Sequence, residues 1–252
     1  MERAAIVTGA SSGIGLATSR RLARDGFHVL AVGRDATALA DVCREIETAG
    51  GRAEAFVADV TAADAPAAIV ARAVGAFGGI DALVNAAGII ASGSVMDTTD
   101  AGWDAMMDLN VRAPFRLIRE AAAALAERTG AVVNVSSVAG LRSFPGLASY
   151  SVSKAAVDQL TRVAALDFAP MGVRVNAVDP GVVVTNLHRR GGMDPEKYAS
   201  FLERSKATHP LGRPGQPDEV ADLIAFLVSP SAAWITGDTI AIDGGRHLTC
   251  LR

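Results

Sequence analysis

The sequence of 252 residues has few cysteines, few aromatic residues and little net charge. Its two cysteines, Cys43 and Cys250, cannot form a disulfide framework, and we expect both to be free thiols. A net charge of −3 leaves no basic surface of the kind that binds nucleic acid. No apolar run is long enough to span a membrane, and the strand-like run that begins at Ala4 leaves no room for a signal peptide. These absences favour a soluble, cytoplasmic protein.

Strand-like apolar runs alternate with helical stretches, and no repeat, low-complexity tract or linker separates them. The runs are nearly continuous in Val, Ile, Leu and Ala, which is typical of strands buried on both faces. Alternation with helices favours βαβ units and a parallel sheet. We therefore expect one α/β domain over residues 1–252. The predicted strands are Ala4–Thr8, His28–Gly33, Ala53–Asp59, Ala82–Ala86, Ala131–Ser136, Val173–Val178 and Thr239–Ile242.

A glycine-rich turn follows the first predicted strand and precedes a helical pattern that begins at Leu16. This order favours pyrophosphate binding, because bare backbone N–H groups and the positive end of the helix dipole face the anion. Gly9, Gly13 and Gly15 allow such a close approach. Their spacing is G-x-x-x-G-x-G, whereas the usual dinucleotide fingerprint is G-x-G-x-x-G. From this motif alone, a glycine turn without a ligand is the alternative.

The end of the second strand predicts which dinucleotide is used. An acidic residue there accepts from the ribose 2′-OH of NAD, whereas an arginine favours the 2′-phosphate of NADP. Gly33 carries no acid and Arg34 follows it, so NADP(H) is favoured over NAD(H). Asp35 is the competing acid, although its position before the helical pattern at 36–49 is typical of an N-cap. Asp59 ends the third strand, where its carboxylate could accept a hydrogen bond from the adenine amino group or cap the N-terminus of the next helix.

A serine, a tyrosine and a lysine together predict a proton-transfer site. The fifth strand ends at Ser136-Ser137, and Tyr150 and Lys154 follow on a helix predicted over 148–168. Residues at i and i+4 share one helix face, and an ammonium group favours a nearby phenolate. At about 5 Å and a dielectric of about 20, the attraction is about 3 kcal/mol, which would lower the tyrosine pKa from about 10 to about 8. For Tyr150 and Lys154 alone, the alternative is a solvated helix face without a catalytic role. Ser136 is the alternative to Ser137 as the functional serine.

Further motifs extend this pattern over the rest of the chain. They are Asp59, Asn85-Ala86-Ala87-Gly88, Asn110, Pro180-Gly181, Pro210-Leu211-Gly212-Arg213, Ile235-Thr236-Gly237 and Asp243-Gly244-Gly245. With the glycine turn and the serine, tyrosine and lysine, the chain resembles the short-chain dehydrogenase/reductase family over essentially its whole length. Within that family it is similar to 3-oxoacyl-carrier-protein reductases. One departure is Ala86, where the family often has a second asparagine.

The resemblance implies a Rossmann-type, doubly wound, parallel seven-stranded sheet with helices on both faces. It also implies that Tyr150 is the acid/base, that Ser137 orients the substrate oxygen, and that Lys154 holds the nicotinamide ribose and lowers the Tyr150 pKa. Asn110 would keep a water that connects Lys154 with solvent. The implied cofactor contacts are Gly9, Ser11, Ser12, Gly13, Ile14, Gly15, Arg34, Asp59, Val60, Asn85, Ala86, Gly88, Tyr150, Lys154, Pro180, Gly181, Val183 and Thr185.

A long connection at about residues 186–209 is predicted to be a substrate lid, because long loops in compact domains are usually functional or disordered. His188, Met193, Tyr198 and Phe201 are its candidate substrate contacts, with packing inside the lid as the alternative role of each. No metal site is predicted, since the histidines lack ligand spacing. The substrate is expected to be a small carbonyl or alcohol compound, with no nucleic acid or membrane as a partner.

The leading hypothesis is an NADP(H)-dependent oxidoreductase that transfers hydride between the nicotinamide and a carbonyl or secondary alcohol. An NAD-dependent alcohol dehydrogenase of the same family and a non-catalytic dinucleotide-binding protein are the alternatives. Relatives that reduce carrier-protein substrates bind the acidic carrier protein through basic residues near the site entrance. Arg128 matches one of these basic positions, whereas the other is occupied here by Met171, which is not basic. Family members are commonly homotetramers, which we expect here with a dimer as the alternative. Helices at 110–127 and 148–168 would form one interface, and the segment through Cys250 would approach another.

Overall fold

The computed structural model describes residues 2–249 of the chain. Its strands are β1 (Arg3–Thr8), β2 (Phe27–Gly33), β3 (Arg52–Val57), β4 (Ala82–Asn85), β5 (Ala131–Val135), β6 (Arg174–Pro180) and β7 (Thr239–Ile242). They form one sheet in the order β3-β2-β1-β4-β5-β6-β7, and every neighbouring pair is parallel. The predicted fold class, a Rossmann-type doubly wound parallel sheet, is therefore confirmed.

Helices connect these strands and cover the sheet. They are α1 (Gly13–Arg24), α2 (Ala36–Thr48), α3 (Ala65–Phe77), α4 (Asp100–Met107), α5 (Ala113–Glu127), α6 (Val138–Leu141), α7 (Ala148–Phe168), α8 (Leu187–Arg190), α9 (Pro195–Thr208) and α10 (Pro217–Val228). A π-helical turn, Asp108–Arg112, continues α4 into α5. Short 3₁₀ turns follow α7, α10 and β7 at Ala169–Met171, Pro230–Ala232 and Arg246–Leu248.

Successive residues of the central strands pack into different cores, because a strand turns alternate side chains to opposite faces of its sheet. Val7 packs in the core that β1 forms with α1, α2 and α10, whereas Ile6 packs in the core formed with α3, α5 and α7. Helices thus cover both faces of the sheet. Both sets of strand residues must then be apolar, which explains the nearly continuous Val, Ile, Leu and Ala runs of the sequence.

The strand order places a crevice at the carboxyl ends of β1 and β4. The chain leaves β1 toward β2 on one side, whereas β4 and the later strands lie on the other side. This reversal separates the loops that follow β1 and β4, and ligands of doubly wound folds bind in the resulting crevice. The glycine turn between β1 and α1 lies at this position, so the fold brings the first predicted motif to the expected edge.

Several predicted boundaries differ from the structure by one to three residues. The third strand ends at Val57, because the Asp59 carboxylate accepts from the backbone N–H and the hydroxyl of Thr61 and forms a turn. The sixth strand continues to Pro180, whose register partner on β7 is Ile242. The helix predicted to begin at residue 110 is preceded by α4 and starts within the π turn.

Two sequence-based expectations concern thiols and membranes. Within residues 2–249, no helix is both long and apolar enough to cross a bilayer. Cys43 is buried on α2, and burial raises the pKa of its thiol. Cys250 lies outside the described residues, as does the end of the segment that was expected to approach an interface.

Candidate active site

The glycine turn between β1 and α1 has the geometry of an anion site. Gly9 and Gly13 have φ angles of +67° and +57°, which favour glycine. A Cβ on Gly9 would lie 2.9 Å from the Ala86 carbonyl oxygen, and a Cβ on Gly15 would lie 2.3 Å from the Gly9 carbonyl oxygen. The first turn of α1 contains no acidic residue. Its N–H groups and dipole can therefore bind a phosphate without competition from a carboxylate.

A cavity of about 1060 Å³ lies along the carboxyl edge of the sheet, between the glycine turn and the helices α8 and α9. Pockets for drug-sized ligands are roughly 300–1,000 Å³, so this space suits a dinucleotide with a small substrate. Of the predicted cofactor contacts, Asn85 is the exception that does not line it. The others line it: Gly9, Ser11, Ser12, Gly13, Ile14, Gly15, Arg34, Asp59, Val60, Ala86, Gly88, Tyr150, Lys154, Pro180, Gly181, Val183 and Thr185.

Arg34 lies at the open end of this cavity, beside Asp59. Its guanidinium Nη1 is 3.9 Å from an Asp59 carboxylate oxygen, and its side chain is 74% exposed. Asp59 is held instead by hydrogen bonds from Thr61, which lower the Asp59 pKa. Asp35 accepts from the backbone N–H of Ala38 at 3.0 Å, which confirms its interpretation as the N-cap of α2. Arg34 is therefore the charged group after β2 that faces the cavity.

Ser137, Tyr150 and Lys154 line the same cavity and are all buried. The Ser137 Oγ accepts from the Ala139 N–H at 3.1 Å and caps the short helix α6. Tyr150 and Lys154 lie one turn apart on α7, with the Lys154 Nζ 5.7 Å from the centre of the Tyr150 ring. The same Nζ donates to the Val135 carbonyl oxygen at 2.8 Å. The end of β5 and one face of α7 thus assemble the predicted constellation.

The prediction that Lys154 lowers the Tyr150 pKa is wrong for this structure. Burial raises the pKa of Tyr150, and a hydrogen bond with Ser137 opposes that shift. Burial also lowers the pKa of Lys154 to about 8, against the attraction of Asp158 and Asp179. The attraction between the two charged groups is outweighed by their removal from water, which disfavours both charged forms. Tyr150 is therefore a protonated phenol at neutral pH, the form that can donate a proton.

The two serines at the end of β5 have different partners. The Ser136 hydroxyl donates to the Lys154 carbonyl oxygen at 3.1 Å, so it attaches β5 to α7. The Ser137 hydroxyl is close enough to Tyr150 to lower the pKa of the phenol. This difference favours Ser137 over Ser136 as the group that orients a substrate oxygen.

Asn110 and Asn85 lie behind the cavity. The Asn110 amide donates to the Ile89 carbonyl oxygen at 3.1 Å and accepts from the Ile89 N–H at 3.0 Å, which fixes the loop after β4. The water expected at Asn110 stays a prediction. Asn85 Nδ2 donates to Asn134 Oδ1 at 2.9 Å, and Asn134 donates to Thr161. We therefore revise the prediction for Asn85: its side chain connects β4, β5 and α7, because buried amides need hydrogen-bond partners.

The predicted lid forms two helices, α8 and α9. His188, Met193 and Phe201 line the cavity, whereas Tyr198 does not. Tyr198 is buried and donates its hydroxyl to the Thr185 carbonyl oxygen at 2.8 Å, so it attaches α9 to the loop after β6. The His188 ring lies 4.6 Å from the Phe201 ring, and burial lowers the His188 pKa. His188, Met193 and Phe201 thus give the lid an apolar, uncharged surface, whereas Arg190 and Lys197 are the lid residues with charged side chains that line the cavity.

His209 positions the segment that follows β6. It is buried, and its Nδ1 lies 2.7 Å from the Ser205 carbonyl oxygen. Because a carbonyl oxygen only accepts, Nδ1 carries the proton, and Nε2 accepts from the Val182 N–H at 3.2 Å. Across residues 2–249, no three His, Cys, Asp or Glu side chains are grouped as in a metal site.

Two buried acids behind Lys154 are functional candidates that sequence reasoning missed. Asp158 follows Lys154 by one turn on α7, and Asp179 lies near the end of β6. Both are buried, and the two carboxyl groups lie close enough to each other and to the Ser136 hydroxyl to shift each other's pKa. Burial and the charge of Asp158 raise the pKa of Asp179 to about 7. The i, i+4 spacing of Lys154 and Asp158 is a signal in the sequence, but nothing there indicates that Asp179 joins them.

Comparisons with known proteins agree with this geometry. A family model described as enoyl-(acyl carrier protein) reductase matches residues 9–247. Dehydrogenase/reductase SDR family member 4 of Homo sapiens is 38% identical over 245 residues, which cover 96% of this chain and 87% of that protein. A 3-oxoacyl-(acyl-carrier-protein) reductase of Staphylococcus aureus is 37% identical over 251 residues, covering 98% of this chain and 99% of that protein. The solved structure of an actinorhodin polyketide ketoreductase with NADPH has a TM-score of 0.91 and 33% identity, and covers 98% of each chain.

The fold, with a cavity at the carboxyl edge of its sheet, and the matching relatives define an oxidoreductase. The chain belongs to the short-chain dehydrogenase/reductase family. Its named relatives are dehydrogenases and reductases.

Proposed function

We propose that the protein is an NADP(H)-dependent oxidoreductase that transfers hydride between the nicotinamide and a carbonyl or secondary alcohol. The observation that carries this proposal is that Ser137, Tyr150 and Lys154 line the same cavity as the glycine turn. The two glycines keep the turn tight, because a Cβ on Gly9 or Gly15 would collide with neighbouring backbone atoms. The N-terminus of α1, which has no acidic residue in its first turn, is then the group that would bind the pyrophosphate of a dinucleotide. Residues 1–252 would act as one domain, with about residues 186–209 as the substrate lid.

The bound dinucleotide would supply the hydride, and residues of this chain would handle the proton. In the direction of reduction, the Tyr150 phenol donates its proton to the carbonyl oxygen as that oxygen gains negative charge. The Ser137 hydroxyl donates a hydrogen bond to the same oxygen and fixes its orientation. Burial supports these roles, since it raises the pKa of Tyr150 and keeps the phenol protonated until a substrate oxygen is present.

Lys154 would restore the proton that Tyr150 releases. Its pKa of about 8 means that the ammonium can give up a proton near neutral pH. Asn110 would hold the water through which Lys154 exchanges this proton with solvent. Lys154 would in addition hold the nicotinamide ribose hydroxyls.

Replacing Arg34 with Ala should lower kcat/KM for NADPH about 10- to 100-fold, because a hydrogen bond to a charged group contributes about 1.5–3 kcal/mol. The value for NADH should change less than about 2-fold, since NAD has no 2′-phosphate to pair with an exposed arginine. Steady-state rates with a panel of ketones and both cofactors measure this difference. Arg44→Ala is the matched control, because Arg44 is an exposed arginine paired with Asp41 on α2.

Two results of this panel would contradict the proposal at different levels. An unmodified enzyme that prefers NADH would refute the assignment of Arg34 and favour the NAD-dependent alternative. Absence of carbonyl-dependent oxidation of either cofactor would refute the oxidoreductase and favour the non-catalytic dinucleotide-binding protein.

The carrier-protein alternative has limited support in the geometry. Arg128, its one matching basic residue, donates to the Gly78 carbonyl oxygen at 2.8 Å. Met171 provides no second charge at the position where carrier-protein reductases have one. A free carbonyl or alcohol compound is therefore the substrate that we propose.

We further infer a homotetramer, which apolar side chains exposed on α5 and α7 support. Phe115 is 44% exposed, and Leu166 is 77% exposed. Introducing a charge by Leu166→Glu should reduce the assembly to a smaller species, because an unpaired charge is costly in an apolar interface. Multi-angle light scattering measures this change. Met96→Glu is the control, since Met96 is 94% exposed but precedes α4. A monomer before any substitution would refute the tetramer.

A further inference from the structure

Arg246 is a buried cation with an unsatisfied donor. It begins the 3₁₀ turn after β7, is 9% exposed and lines the cavity that contains Tyr150. Its Nη1 finds no hydrogen-bond acceptor within residues 2–249. A buried charge without a partner strongly destabilises a fold. Because the Arg246 side chain lines the cavity, an acceptor on a bound ligand would offset this penalty, which makes the guanidinium a candidate anion site.

Phe144 places this guanidinium near the reacting part of the substrate. The Arg246 Cζ lies 5.0 Å from the centre of the Phe144 ring. Phe144 lines the cavity and packs with Tyr150 and Leu147 in one apolar cluster. An anion bound at Arg246 would therefore lie on the Tyr150 side of the cavity, separated from the adenosine end marked by Arg34.

A second arginine adds positive charge at this position. The Arg142 Cζ lies 5.2 Å from the same Phe144 ring. Its Nη1 donates to the carbonyl oxygens of Arg246 and Thr249. Burial lowers the Arg246 pKa, and Arg142 adds to this shift by repulsion. Two guanidinium groups on one ring thus create a local excess of positive charge.

The acid that attracts Arg246 is already engaged elsewhere. Asp243 accepts from the Gly245 N–H at 2.9 Å through Oδ1. Its Oδ2 accepts from the His247 N–H at 2.6 Å and lies 2.9 Å from the His247 Nδ1. The Asp243 carboxylate therefore stabilises the turn after β7 and leaves the Arg246 Nη1 without an acceptor.

The other charged residues on this side of the cavity are also mostly basic. Arg190 and Lys197 come from the lid helices and line the same space. Asp108 lines it as well, but its carboxylate pairs with Arg112 one turn later. Lys197 pairs in the same way with Asp194. Arg190 and Arg246 are then the lining residues on this side that have no salt bridge within residues 2–249, and their positive charge would attract an anionic compound.

We propose that Arg246 binds a carboxylate group of the substrate, so that the substrate class is an oxo acid or the corresponding hydroxy acid. This inference rests on the proposed oxidoreductase function and narrows its substrate. A guanidinium matches a carboxylate through two parallel hydrogen bonds. The carbon chain between the two groups would lie against Phe144, with the carbonyl at Tyr150 and the carboxylate at Arg246.

The test compares charged and neutral forms of the same substrates. NADPH-dependent reduction is measured for 4-oxopentanoate and 5-oxohexanoate and for their methyl esters, with the parent protein and with Arg246→Met. The parent should prefer at least one acid over its ester, and Arg246→Met should lower kcat/KM for that acid about 10- to 100-fold. Reduction of the esters should change less than about 3-fold. Arg246→Lys should retain part of the preference, because it keeps the charge without the bidentate geometry.

Folding and binding are measured separately from turnover. Thermal melts should show that Arg246→Met is at least as stable as the parent, since an apolar side chain replaces an unpaired buried charge. Calorimetry with the NADPH-loaded protein should detect hexanoate, with binding lost in Arg246→Met and hexanamide bound by neither. Arg44→Met serves as the exposed control and should change none of these values.

The outcomes distinguish this inference from the proposed function. Reduction of acids and esters with equal efficiency, or an equal loss of both in Arg246→Met, would overturn the carboxylate site and leave the oxidoreductase intact. Hexanoate binding that requires Arg246 without reduction of any carbonyl would support the anion site and contradict the oxidoreductase. Hexanoate binding that persists in Arg246→Met would overturn the role of Arg246.

Discussion

Replacement of Tyr150 by Phe should lower kcat for ketone reduction by about 10³-fold or more, because the phenol is the proton donor and general acid catalysis contributes about 10²–10⁴-fold. The ring would still pack with Phe144 and Met106 in its apolar cluster, so fold and cavity should persist. The dissociation constant for NADPH should therefore change by less than about 3-fold. Single-turnover kinetics and fluorescence titration of NADPH measure the two quantities independently.

The chain offers a matched control, since its two tyrosines lie in different environments. Tyr198 is also buried, but its hydroxyl donates to the Thr185 carbonyl oxygen and the residue does not line the cavity. Tyr198→Phe removes a single neutral hydrogen bond and should lower kcat by less than about 10-fold. Equal losses in both variants would argue against Tyr150 as the acid. Turnover retained in Tyr150→Phe would refute the proposed mechanism.

Replacing Asp179 with Asn should change the free energy of unfolding more favourably at pH 8 than near pH 4. The two stability effects should differ by up to about 4 kcal/mol. Burial and Asp158 raise the pKa of Asp179 from 3.8 to about 7. Between these two values the unfolded chain has released the proton that the folded chain keeps. Stability contributed by this group is therefore present below about pH 4 and is lost as the pH rises toward 7. An asparagine does not titrate, so the variant lacks this loss.

Urea denaturation at intervals between pH 4 and pH 8 measures the difference in free energy of unfolding between the variant and the parent. The difference measures the coupled pair Asp158 and Asp179. Other acids, such as Asp59, whose pKa is lowered and whose contribution has the opposite pH dependence, cancel from it. Asp41→Asn is the control, because Asp41 is exposed and pairs with Arg44 on α2. Its effect should stay within about 0.5 kcal/mol at every pH. If the difference in free energy of unfolding between Asp179→Asn and the parent does not increase with pH, the buried carboxyl groups of Asp158 and Asp179 do not retain a proton.

Most of the fold could be predicted from the sequence, because periodicity determines which side chains can be buried. Nearly continuous apolar runs alternating with helical patterns are stable only as a parallel sheet covered on both faces. The observed strand order and the two helical layers agree with that expectation. Local spacing also placed Tyr150 and Lys154 on one face of α7. The boundaries at Asp59 and Pro180 differed because they depend on a side-chain turn and on pairing with β7.

The candidate site was predictable where its residues belong to short motifs and unpredictable where distant segments meet. The glycine turn, Arg34 and the serine after β5 could be located because each follows a strand at the carboxyl edge of the sheet. The side chain of Asn85 follows a strand in the same way, yet it points to Asn134 inside the sheet. Position along a strand therefore predicts the edge of the sheet, but the direction of one side chain depends on the partners available to it.

The sequence by itself predicted the fold class, which the structure confirms, and it named the residues that we propose for the dinucleotide site and the proton-transfer set, since these follow from periodicity and from motifs within a few residues. Only the tertiary structure decided the charge states around them. Burial raises the pKa of Tyr150, Asp158 and Asp179 meet behind Lys154, and Arg246 lines the cavity. The physical reason is that a pKa depends on burial and on neighbouring charges, and both are set by segments far apart in the chain.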